Sequence, residues 1–98
     1  MSIFLRTSEF DTWLKALRDP IATARIAARI RSAEAGNFGD CAPVGDGISE
    51  MRIQVGPGYR LYYCRWGEVT YLLLCAGDKS SQPKDIRKAK TLLKGLEN

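Results

Sequence analysis

Histidine is absent from the 98 residues of the chain. That absence excludes Ser-His-Asp and Cys-His nucleophile pairs, histidine-based zinc sites and imidazole acid/base chemistry. Any catalysis must run on Arg, Lys, Tyr, Ser, Cys or a carboxylate. Cysteine is scarce, and Cys41, Cys64 and Cys75 are odd in number with no CxxC pair. They form neither a disulfide framework nor a metal knuckle, so no metal and no other cofactor is expected. Long apolar runs are missing too. The longest, Val69 to Ala76 with Thr70 inside it, falls far short of the roughly 20 residues of a membrane helix. The opening MSIFLR reaches a charge at Arg6, unlike a signal peptide or anchor. The chain reads as a reduced, cytoplasmic protein with no membrane partner.

What is present is ordinary for a globular chain: 45% hydrophobic and 27% charged residues, enough for a single domain spanning residues 1–98. The net charge is +4, and it is unevenly placed. Residues 1–47 carry six basic and six acidic side chains, whereas residues 48–98 carry nine basic against five acidic. The whole excess therefore lies in the second half, which is where a polyanion would bind.

The hydrophobic pattern changes period along the chain. Ile3 to Arg6 reads as an edge strand or an ordered lead-in. Ser8 with Asp11 resembles a capping box, and Phe10, Trp13, Leu14 and Leu17 share one helical face. Asp19-Pro20 reads as an N-cap and first-turn proline opening a second helix to about Ala35. It carries Ile26 and Ile30 on one stripe and Ala24, Ala28 and Ala35 on another, which predicts close packing on both sides. Residues 36–47 hold four glycines and a proline and read as a loop. Beyond it the period is two. Met51, Ile53 and Val55 alternate with Glu50, Arg52 and Gln54, and Gly56-Pro57-Gly58 turns into a second strand, Tyr59 to Trp66. Val69 to Ala76, apolar on both faces, reads as a central third strand. Pro83 opens a last helix with Ile86, Ala89, Leu92, Leu93 and Leu96 on one side and Lys84, Arg87, Lys88, Lys90 and Lys94 on the other. The predicted fold class is α+β: an N-terminal helical hairpin on a three-stranded antiparallel meander, with or without Ile3 to Arg6 as an N-terminal edge strand, closed by a basic amphipathic helix.

Three places can carry chemistry. Arg52 and Arg60 flank the hairpin turn, with Tyr62 on the same side of its strand as Arg60. Guanidinium forks match phosphate oxygens and aromatic rings stack on unpaired bases, a combination suited to single-stranded RNA; equally, the arginines can pair with Glu50 or Glu68 on a solvated face. Gly77-Asp78-Lys79-Ser80-Ser81-Gln82 leads into a helix N-terminus, where a phosphate would be favoured, or where the serines simply cap. Lys79 stands at the end of the central strand, within reach of a substrate shared with the arginine pair. The strip of Lys84, Arg87 and Lys88 is either a nucleic-acid contact or a solvated face. Cys64 and Cys75 read as small buried hydrophobes.

Taken together, Gly47-Ile48-Ser49-Glu50-Met51-Arg52-Ile53, Gly56-Pro57-Gly58-Tyr59-Arg60-Leu61-Tyr62-Tyr63 and Leu72 to Gln82 with Asp85-Ile86 and Ala89 resemble the RelE/ParE superfamily of type II toxin–antitoxin toxins, nearest to its HigB-like addiction module killer branch. The resemblance implies a RelE/ParE-like fold and a toxin neutralised by a cognate helix-turn-helix (HigA-like) antitoxin. It also implies an endoribonuclease that cleaves mRNA on the ribosome. By position it assigns Arg60 to stabilising the pentacoordinate phosphate, Arg52 to a neighbouring basic position, Lys79 to the leaving group or proton transfer, and Tyr62 to a base. Relatives that use histidine or a tail tyrosine as acid or base differ from this chain, whose tail is a lysine-rich helix. The alternatives are ParE-like inhibition of DNA gyrase without nuclease chemistry, and a plain nucleic-acid-binding module.

Overall fold

A computed structural model describes residues 1–97. In chain order its elements are β1 (Ile3–Arg6), α1 (Ser8–Ala16), α2 (Pro20–Glu34), β2 (Cys41–Gly45), β3 (Ile48–Ile53), β4 (Tyr59–Arg65), β5 (Thr70–Asp78), one 3-10 turn (Lys79–Ser81) and α3 (Gln82–Glu97). The strands form a single mixed sheet in the order β1-β5-β4-β3-β2, antiparallel except for β1 against β5. The α+β class and the β3-β4-β5 meander are as the sequence predicts. The sheet has five strands rather than three: Ile3–Arg6 takes the edge-strand alternative offered for it, and β2 is added at the opposite edge.

Both edge strands have local causes. β2 lies in the segment expected to be a loop, and it pairs with β3 through a two-residue turn in which Asp46 (φ 56°) and Gly47 (φ 79°) are both left-handed. An Asp-Gly pair meets that demand, and the resulting twist matches an antiparallel hairpin. Pro43 is tolerated because β2 is an edge strand, with a register shift beside it. At the other edge β1 runs parallel to β5. The Ile3 N–H donates to the Val69 carbonyl at 2.8 Å and the Thr7 N–H to that of Leu73 at 3.1 Å. Thr7 also caps α1: its hydroxyl oxygen accepts from the Phe10 N–H at 3.0 Å while its O–H donates to the Leu74 carbonyl at 2.6 Å. The cap is thus one residue earlier than the Ser8 box.

α1 and α2 cover one face of the sheet. Phe10, Ala22, Ile26, Ile30 and Ala33 bury against Met51, Ile53, Leu61, Tyr63 and Leu73. The Asp19-Pro20 start of α2 is as expected, with Asp19 Oδ1 accepting the Ala22 N–H at 3.1 Å. Its second alanine stripe differs from expectation. Ala24, Ala28 and Ala35 are exposed, and they serve as helix formers rather than packing surfaces.

α3 covers the other face, where Ala89 and Leu93 pack on Ile48, Tyr62, Cys64, Leu72, Leu74 and Cys75. Cys64 and Cys75 are buried, and burial pushes the Cys75 thiol up to about 12. A tight clasp fixes the N-terminus of α3. Ser81 Oγ donates to Asp85 Oδ2 at 2.5 Å, and these two groups fill the space where a Cβ on Gly77 would stand. Among the described residues no helix is long and apolar enough to cross a membrane.

Candidate functional site

At the end of the meander that carries the Gly56-Pro57-Gly58 turn, the strand register sets Arg52 of β3 directly across from Arg60 of β4, and Arg60 across from Gly77 of β5. Two residues after Gly77, β5 gives way to Lys79. The Gly56-Pro57-Gly58 turn, with left-handed Gly56 (φ 57°) and Gly58 (φ 84°), folds the hairpin tip back so that the Gly58 carbonyl accepts the Lys79 N–H at 2.8 Å. The result is a cleft of about 480 Å³ lined by Arg52, Gln54, Tyr59, Arg60 and Lys79 together with the turn backbone. The three side chains assigned to catalysis by resemblance thus line one cavity.

Two guanidinium groups facing each other across a ladder repel unless an anion stands between them. Here that anion is Glu50. It is 1% exposed and sits on the same face as both arginines, and its Oε2 accepts from Arg52 Nε at 3.1 Å and from Arg60 Nη1 at 2.9 Å. Its Oε1 accepts from Gln82 Nε2 at 2.7 Å and from the Tyr62 hydroxyl at 3.4 Å. Burial alone would push this carboxyl up. The hydrogen bonds from Gln82, Arg60 and Arg52 outweigh burial, and Glu50 is held below its ordinary range as an anion. Asp40 closes the outer side, accepting from Arg52 Nη1 at 3.1 Å and from Gln54 Nε2 at 3.2 Å. The Gln54 bond first, and Arg52 with it, hold its carboxyl low. Pairing with carboxylates, the bland alternative for the two arginines, is therefore real, and it coexists with the cleft. The two arginines thus share two carboxylates. Lys79 makes no ion pair among the described residues.

The remaining candidates are placed differently. Tyr62 does lie on Arg60's side of β4, but α3 covers that part of the sheet and the ring is 0% exposed. It cannot stack on a base there; burial first, and the Glu50 charge next, push its phenol upward. The serines of the 77–82 segment are consumed by capping: Asp78 Oδ1 accepts the Ser80 N–H at 2.8 Å and its O–H at 2.5 Å. A carboxylate therefore takes the place at this turn that the sequence offers to a phosphate. Lys84 and Arg87 are exposed on α3 and do not line the cleft. Lys88 is exposed as well, yet it bridges to Glu9 of α1 at 2.5 Å.

Further residues build the site around Arg52, Arg60 and Lys79. Glu50 and Gln82 form the inner lock just described. Tyr59 donates its hydroxyl to Asp19 Oδ2 at 3.2 Å, tying the cleft wall to the cap of α2. Arg29 of α2 donates to the carbonyls of Arg52 and of Phe38, the latter at 3.0 Å, and so holds the segment bearing Asp40 against β3. The Asp40 segment is anchored further by Phe38, whose ring packs 5.1 Å from that of Tyr71 and 5.8 Å from that of Phe4.

No family model matches the sequence. An uncharacterized protein of Haemophilus influenzae is 48% identical over 97 residues, a match spanning 98% of each chain. The chain belongs to the family of that protein.

Proposed function

We propose that the members of this family are toxins of the RelE/ParE type that act in the cytoplasm, cleave mRNA on the ribosome and are silenced by a helix-turn-helix antitoxin. The observation that carries the reading is the meeting of Arg52 from β3, Arg60 from β4 and Lys79 from the turn that follows β5 on one cleft of about 480 Å³. Among the described residues only Nη1 of Arg60 is engaged, so Nε and Nη2 remain for phosphate oxygens. In the reaction the RNA 2′-oxygen attacks the adjacent phosphorus, the bond to the 5′-oxygen breaks, and a 2′,3′-cyclic phosphate forms. Negative charge accumulates on the equatorial oxygens, and preorganised cations lower that barrier most. Arg60 and Arg52 carry this role, with Lys79 beside the departing oxygen.

Glu50 is not the general base. Both of its oxygens are occupied and its proton affinity is depressed. The proton of the 2′-hydroxyl therefore passes to groups of the ribosome, the RNA or solvent. One observation favours a second reading, inhibition of DNA gyrase by binding alone: neither a carboxylate nor an imidazole lines the cleft. Induction in cells followed by primer extension separates the two readings. Cleavage gives discrete breaks in mRNA that Arg60→Ala abolishes; gyrase poisoning gives DNA breaks with intact mRNA.

A further inference from the structure

The cleft depends on a contact outside it. Glu50 holds both arginines, yet it is buried and does not line the cavity. Of its four donors the nearest is Gln82 Nε2 at 2.7 Å, reaching from the first residue of α3 across 32 positions of sequence. If that bond is removed, Oε1 keeps only the Tyr62 hydroxyl at 3.4 Å, near the outer limit of a hydrogen bond. The carboxylate would then be anchored through Oε2 alone, and rocking about its last torsion would loosen its hold on the Arg60 guanidinium. Gln82 has little freedom of its own, because the Ser81 to Asp85 hydrogen bond and the close approach of Gly77 clasp the start of α3. A chain of direct contacts therefore runs from the docked helix to the cleft: Asp85 and Ser81 set Gln82, Gln82 sets Glu50, and Glu50 sets Arg60.

We infer that Gln82 and Glu50 are positioning residues for the anion site: the docking of α3 fixes the Arg60 guanidinium through them, although neither touches the ligand. This rests on reading the cleft as a phosphate site, and its test has one part that does not. A guanidinium held by a buried carboxylate rotates slowly and gives resolved Nη–H signals in the ¹H–¹⁵N spectrum of the free protein. Arg60 shows such signals, identified by their absence in Arg60→Ala, and they collapse in Gln82→Leu while the backbone amide spectrum stays folded. Gln82→Leu decides the matter even where Glu50→Gln fails to fold. Persistence of the Arg60 signals in Gln82→Leu, or their absence in the wild type, overturns the inference.

The second part uses a short fluorescent single-stranded oligoribonucleotide as probe. Gln82→Leu weakens binding by about tenfold, the size expected when a hydrogen bond to a charged group is lost. In an Arg60→Ala background the same substitution has no further effect, since its influence travels through Arg60. An equal loss in that background marks a general structural defect and contradicts the inference. A wild-type protein that ignores the probe refutes the proposed function, while the arginine signals still judge the positioning chain.

Discussion

The cations of the meander and those of α3 differ in what holds them. Arg60 is 15% exposed at its side chain and bonded to an anion that is 1% exposed, and Arg52 is clamped between Glu50 and Asp40. Lys84 and Arg87 stand in solvent on a helix that packs through its other side. A clamped guanidinium has lost its rotamer freedom before any ligand arrives, so its full electrostatic effect is available to one geometry. An exposed side chain offers only attraction that fades over about 8 Å at physiological salt. On the proposed reading, the meander orients a phosphate and the helix gathers polyanions. A protein that acted by charge alone would have no need for a buried glutamate between two arginines.

Substitutions can break this contrast. The largest effect falls on Arg60. Arg60→Ala lowers RNA cleavage by about a hundredfold or more, the range seen when a preorganised transition-state donor is removed, whereas Lys84→Gln with Arg87→Gln leaves the single-turnover rate constant unchanged. Glu50→Gln follows. It removes the buried anion that the two guanidinium groups share and leaves Arg60 without an ion-pair partner, and urea denaturation at neutral pH shows a loss of about 3 kcal/mol. The pH dependence has a defined sign. The folded Glu50 carboxyl lies below its ordinary 4.5, so its contribution is complete above that value and disappears as the pH falls through the folded value. The gap between wild type and Glu50→Gln therefore narrows on acidification.

The helix comes next. Removing Lys84 and Arg87 together weakens oligoribonucleotide binding without sequence preference and reduces the salt slope by about 1 for each cation that contacts a phosphate. Smallest is Lys88→Gln. Its pair with Glu9 is nearly half exposed on both sides, and thermal unfolding registers less than about 1 kcal/mol.

What the sequence makes legible here is what short-range rules determine. The alternation of Met51, Ile53 and Val55 locates β3 and its buried face, Asp19-Pro20 locates the start of α2, and Gly56-Pro57-Gly58 locates the hairpin that brings Arg52 opposite Arg60. β2 escapes because Pro43 and Gly45 interrupt any alternation, and only the Asp46-Gly47 pair announces its turn. The burial of Tyr62 escapes for another reason. Strand alternation places it correctly on Arg60's face, but nothing local says that α3 will cover the middle of that face. Glu50 is the clearest case: a glutamate alternating with Met51 and Ile53 reads as solvent-facing, yet it is buried, and one group that holds it is Gln82, 32 positions away.

The central claim is that RNA phosphate binds in the clamped cleft rather than along the basic helix. Titration of the ¹⁵N-labelled protein with a single-stranded oligoribonucleotide, read through backbone and arginine side-chain signals, tests it most directly. The account predicts that the largest shifts fall on Gly58, Arg60, Gly77 and Lys79 together with the Arg52 and Arg60 side chains, with only small, salt-sensitive shifts on α3. Shifts confined to Lys84, Arg87 and their neighbours, with the cleft signals unmoved, would contradict it.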